Sequence, residues 1–175
     1  MVNKASVILL SLGIVAHAGA TGRASLARFE GGIGVIPVSN VAVNATTGAV
    51  TVNRNIVKGV NPPGQIWVIA DLKADIDADG HITVKGRGLL LGGGNAIGQN
   101  ANQSVFATLI CEAAAPFVEH SSAAAGVALE ANGDFRIDDT LDSTPSACPR
   151  RTLLIRSAGG RTWFAAGIPK LGGDD

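Results

Sequence analysis

Residues 65–76 (QIWVIADLKADI) alternate side-chain character over twelve positions, and no other stretch restricts the fold so tightly. Ile66, Val68, Ala70, Leu72, Ala74 and Ile76 fall on one side; Gln65, Trp67, Ile69, Asp71, Lys73 and Asp75 fall on the other. A period of two is that of a strand with one face covered. Helical spacing would instead line up Asp71 and Asp75 with Trp67, leaving a mixed stripe that no core accepts.

The remaining chain reads the same way, as short strands broken by turn chemistry. Strand patterns occur at 34–38, 41–44, 49–57, 81–84, 89–91, 104–111, 126–129, 134–138, 152–157 and 162–168. Thr47-Gly48, Asn61-Pro62-Pro63-Gly64, Asp79-Gly80, Asn132-Gly133 and Gly159-Gly160 separate them, being residues that turns require. No amphipathic helix is available to cover a sheet, so a second β layer must do it. The expectation is all-β: an antiparallel β-sandwich of about eight to ten short strands, with a small β-barrel as the alternative. Residues 112–125 and 142–151 read as irregular loops.

The N-terminus reads as a targeting segment. Lys4 precedes an uncharged, mostly apolar run over residues 5–15, and Ala16-His17-Ala18 and Ala18-Gly19-Ala20 offer small-x-small cleavage patterns. The run is too short to span a bilayer as a helix, which takes about 20 residues. The expected organisation is a cleaved signal peptide at 1–20, a linker at 21–29, a single β domain at 30–169 and a tail at 170–175. A membrane barrel would need aromatic girdles; this chain has no Tyr, 2 Trp and 5 Phe. Export to the periplasm or the extracellular space also sets the redox context, so Cys111 and Cys148 are expected to form a disulfide bond.

Charge argues function classes down. Lys and Arg number 14, as do Asp and Glu, so no net field draws in nucleic acid. Asp75, Asp77 and Asp79, followed by Gly80 and Ile82, match the opening half of a calcium loop, where alternate carboxylates wrap a hard cation. The twelfth position, which should be a bidentate Glu, is Gly86, and both flanks read as strands. A solvated hairpin tip is the favoured explanation of the three Asp, so they stand only as a weak calcium candidate, and no other cofactor is implied. The Gly-rich run at 86–98 lacks the Lys-Ser/Thr ending or the third Gly of a nucleotide loop.

His120-Ser121-Ser122 places nucleophile and base types side by side, without a nucleophile-elbow motif. His120 reads as a surface loop residue. Asp134, Asp138, Asp139 and Asp142 cluster around Arg136, which an ion-paired solvent face accounts for. Trp67, on the more polar side of its strand, is the best exposed-aromatic candidate, although packing under a loop is the favoured reading. No catalytic residue is assigned. The functional expectation is a non-enzymatic binding or structural domain with an unidentified protein or surface ligand as partner. The rival is a secreted hydrolase working through carboxylates or His120.

Overall fold

The structure, a computed structural model, describes residues 24–170. The expected signal segment at 1–20 lies outside the described residues, as does all of the tail but Lys170. Thirteen strands and no helix are present among the described residues. They are β1 (Ser25–Gly34), β2 (Val38–Val43), β3 (Val50–Arg54), β4 (Trp67–Val68), β5 (Asp71–Asp77), β6 (His81–Arg87) and β7 (Leu90–Leu91). β8 (Ser104–Ile110), β9 (His120–Ser121), β10 (Val127–Ala128), β11 (Phe135–Thr140), β12 (Thr152–Ser157) and β13 (Trp163–Pro169) follow.

Nine of these strands make one antiparallel sheet in the order β10-β8-β12-β13-β1-β5-β6-β11, with β9 paired to β8. The sheet curls into a half-barrel, so one sheet supplies both walls of the core and the expected two-sheet sandwich is not confirmed. Its two ends, β10 and β11, come into contact without a ladder between them. Single bonds link these margins: Asp139 Oδ2 of β11 accepts Ala123 N–H (2.7 Å), and Asp142 N–H donates to Ser121 O of β9 (2.8 Å). Curling replaces the missing cover layer, because the apolar faces of β5, β6 and β11 turn inward against those of β8 and β12.

Alternation accounts for the first of these walls. Leu72, Ala74 and Ile76 on β5, Ile82 and Val84 on β6, and Phe135 and Ile137 on β11 are buried, while the residues between them are exposed or half-buried. β8 and β12 differ, being buried on both faces from Val105 to Ile110 and from Leu153 to Ser157. One face of these strands meets the core; on the other, Arg156 of β12 donates to Glu119, just before β9, and with Arg161 lies over the Phe106 ring of β8. A glycine is required where the sheet comes too close to a ring: a Cβ at Gly86 would run into the Phe135 side chain of the neighbouring strand.

The long strand expected at 65–76 is broken. Trp67–Val68 pairs with β7 in a small separate sheet, and Asp71–Asp77 pairs with β1 and β6. Side-chain parity flips across the break, so Trp67 is buried while Ile66 and Val68 are exposed. The cause is Gly34, whose missing side chain lets the Trp67 carbonyl approach, together with the bond from Trp67 N–H to Val35 O (3.1 Å). Trp67 then stacks on Phe164 with centroids 4.0 Å apart. The first strand is also earlier than expected. β1 begins at Ser25, inside the stretch read as a linker, and runs between β5 and β13.

β2 and β3 form a hairpin of a different kind. They pair only with each other, and every residue from 38 to 54 is exposed. Its root is held firmly: Asn55 N–H donates to Pro37 O, Trp163 Nε1–H donates to Asn55 O (2.9 Å), and Arg54 donates to Pro62 O. Beyond that root no hydrogen bond or ion pair joins residues 38–53 to the body among the described residues. The hairpin is therefore an arm.

Candidate functional site

Cys111 and Cys148 are bonded, as the sequence suggested, with Cα atoms 4.6 Å apart. The bridge ties the end of β8 to the loop leading into β12 and fixes the surroundings of Lys58. That lysine sits in a two-residue turn closed by mutual Val57 and Val60 backbone bonds, at φ 45°, an uncommon conformation for a side-chain-bearing residue. Its ammonium donates to the carbonyls of Glu112 and Arg150 and, at 3.5 Å, to that of Ile110. Burial lowers the Lys58 pKa, and the nearby Glu112 carboxylate opposes that shift. Glu112 itself is held below the usual carboxylate range, chiefly by the N–H of Val118.

His120 is buried on β9, at 7% exposure, rather than on a surface loop. Its Nδ1 lies 3.0 Å from Ser143 O and 2.8 Å from Ser143 Oγ, and that hydroxyl donates to Asp142 Oδ1 at 3.2 Å. Ser, His and Asp thus meet, but in the wrong order. A nucleophilic relay needs the imidazole between hydroxyl and carboxylate, with an acceptor nitrogen facing the hydroxyl. Here the hydroxyl lies between the other two. Nδ1 also faces a carbonyl oxygen, which can only accept, and in the tautomer that donates to it Nδ1 takes no proton from Ser143. The cluster fastens the β9 segment to the loop after β11.

The carboxylates near β11 are likewise engaged. Asp134 Oδ1 accepts Gly88 N–H (3.0 Å), and Asp139 accepts Ala123 and Thr140 N–H. Asp138 pairs with Arg136 at 3.0 Å and faces His81 at 3.5 Å. The Arg136 hydrogen bond holds the Asp138 carboxyl below its ordinary range. In the calcium candidate, Asp75 pairs with Arg28 (2.9 Å) and accepts Ser25 Oγ–H, while Asp79 Oδ1 accepts His81 N–H (3.3 Å). Among the described residues no group of three or more His, Cys, Asp or Glu is placed to hold a metal ion.

Two features were missed by sequence reasoning. The first is Arg156, buried under the β9 segment, which donates to Glu119 Oε2 (2.6 Å), Thr108 Oγ1 (3.3 Å) and Arg161 O (3.0 Å) and lies over the Phe106 ring. Thr108 and Arg156 are the polar interruptions in two otherwise apolar strands, and that was the available signal. The second is the arm. Val41 opposes Val52 and Val43 opposes Val50, so four valines share one face at 55–64% exposure. Asn40, Ala42, Thr51 and Asn53 line the other.

No known protein family, curated protein or solved structure matches the chain. Among the described residues no helix is long and apolar enough to cross a membrane.

Proposed function

We propose that this chain is an exported, non-enzymatic domain of the cell envelope or extracellular space, whose arm joins it to a second copy of itself. One observation carries the reading: an uncharged β-ribbon, residues 38–53, stands clear of the body with four valines on one face. An isolated two-stranded hairpin is marginal in water, so a ribbon of this composition gains order by being covered. An exposed flat apolar ribbon with two open edges invites pairing.

A second copy fits better than a charged partner. Residues 38–53 hold no Lys, Arg, Asp, Glu or His, so the face selects by shape and apolarity. Two identical valine faces related by a two-fold axis are self-complementary. The four valines expose about 400 Å², on the scale of the largest apolar patch of a monomer.

Export is supported by the N-terminal charge and hydropathy pattern, with which the disulfide is compatible. The non-enzymatic part is supported by the His120 cluster, whose geometry gives no activated nucleophile. Sedimentation velocity of the disulfide-intact protein over a wide concentration range tests the assembly. Dimer is expected for the wild type and monomer for Val41→Asp/Val52→Asp, with unchanged near-UV circular dichroism. A wild type that stays monomeric at about millimolar concentration, or a variant that associates equally well, overturns the reading.

A further inference from the structure

Beside the disulfide lies a cleft of about 570 Å³ lined by Lys58, Arg150 and Arg151 and flanked by Pro149 and Pro169. Three positive charges meet in its wall and no carboxylate lines it, although the Glu112 carboxylate lies near Lys58. Their roles differ. Lys58 directs its ammonium at protein carbonyls, so it is a fixed charge rather than a donor to a ligand. Arg150 and Arg151 have no hydrogen-bonding or ion-pairing partner for their guanidinium groups among the described residues. Each guanidinium offers five N–H donors in a planar fork that matches carboxylate and phosphate oxygens.

The segment carrying these arginines is held on three sides. Cys148 is bonded to Cys111, the Arg150 carbonyl accepts from Lys58 (2.7 Å), and Thr152 enters β12 opposite Ile110. Binding there orders little additional backbone, which lowers the cost of capture. The volume lies in the range of small-molecule sites, about 300–1,000 Å³, and exceeds what a single phosphate fills.

A second basic place on the molecule lacks these properties. Lys73 and Lys85 oppose each other across β5 and β6 in a groove of about 350 Å³. Glu30 and Asp75 line that groove too, paired with Lys170 and Arg28 of the same wall, so an incoming anion would have to compete with both carboxylates for these cations.

We propose that the cleft beside Cys111–Cys148 is an oxyanion site for a small organic polyanion carrying phosphate or carboxylate groups, gripped by Arg150 and Arg151 in the field of Lys58. Arg150 and Arg151 are distant in sequence from the arm, Lys58 follows its root closely, and the proposal does not rest on self-association.

Isothermal titration calorimetry of the disulfide-intact protein at low salt, with inorganic pyrophosphate in one arm and citrate in the other, tests this. Saturable binding of at least one probe is expected, and the stronger probe identifies the phosphate or carboxylate source. Arg150→Ala/Arg151→Ala should weaken it about tenfold or more while near-UV circular dichroism stays unchanged. Lys73→Ala/Lys85→Ala should leave it intact. Absence of saturable binding of either probe to the wild type overturns the proposal. So does equal affinity in the double arginine variant, or a loss confined to the double lysine variant.

Discussion

The strands of the body and those of the arm use overlapping alphabets and meet opposite fates. β8 (SVFATLI) and β12 (TLLIRS) are buried on both faces, whereas β2 (VSNVAV) and β3 (VTVNR) are exposed on both. Each is rich in residues that favour an extended backbone. What separates them is bulk: the body strands carry Phe, Leu and Ile, while the arm uses Val with Ala, Thr, Ser and Asn. Small branched side chains suffice to keep a ribbon extended. Large ones are needed to fill a core at native density. Local conformation and burial are thus set by different properties of the same residues.

The comparison predicts where stability resides. The largest effect should come from Cys111→Ser/Cys148→Ser, which releases a loop spanning a separation of 37 residues and should cost about 4 kcal/mol on the chain-entropy scale. Urea unfolding of the variant against the oxidised wild type measures it, and a loss restricted to the arm would break the distinction. Next, Leu154→Ala empties a fully buried position on β12, between β8 and β13, and should cost about 3 kcal/mol. The matched change in the arm, Val43→Ala, should shift the midpoint of the monomer by no more than about 0.5 kcal/mol. If the two substitutions cost the same, the arm is packed in solution and the contrast fails.

The smallest effect is electrostatic. Glu112 and Asp138 have folded-state pKa values below their ordinary ones, through the Val118 N–H and the Arg136 hydrogen bond respectively. A depressed carboxyl contributes stability that is present above its unfolded pKa and lost as pH falls through the folded one. Acid should therefore loosen the body from the ordinary carboxylate range downward, and Glu112→Gln should make that limb of the unfolding profile shallower. The arm has no ionisable side chain between residues 38 and 53. Association through it should stay flat with pH above the carboxylate range and should not weaken in salt, which sedimentation at several pH values checks.

Much of the sheet was legible because alternation and turn residues are local signals. The buried and exposed parities of β5 and β11 follow from them directly, as does the Cys111–Cys148 bond from the expected compartment. β1 was not legible: Ala27 and Phe29 alternate with Arg28 and Glu30, but a register shift between Phe29 and Gly32, with Gly31 at φ 91°, interrupts the pattern. The break after Val68 was hidden for the opposite reason, since alternation continues in sequence while the backbone changes partner. His120 escaped because two residues of β9 carry no periodicity. The basic cleft was out of reach, for it joins Lys58 to arginines more than ninety positions away, and only the sheet order brings them together.

That order has a consequence in time. β1 lies between β13 and β5, so the first and last strands join the β10-β8-β12 side of the sheet to the β5-β6-β11 side. Until β13 is available, the two sides share no ladder and each presents an open edge. Contacts of such long sequence separation are slow to form. A chain threaded through a narrow pore from its N-terminus therefore completes its sheet only after residues 163–169 have followed, and any helper that shields bare strand edges has its work before that moment.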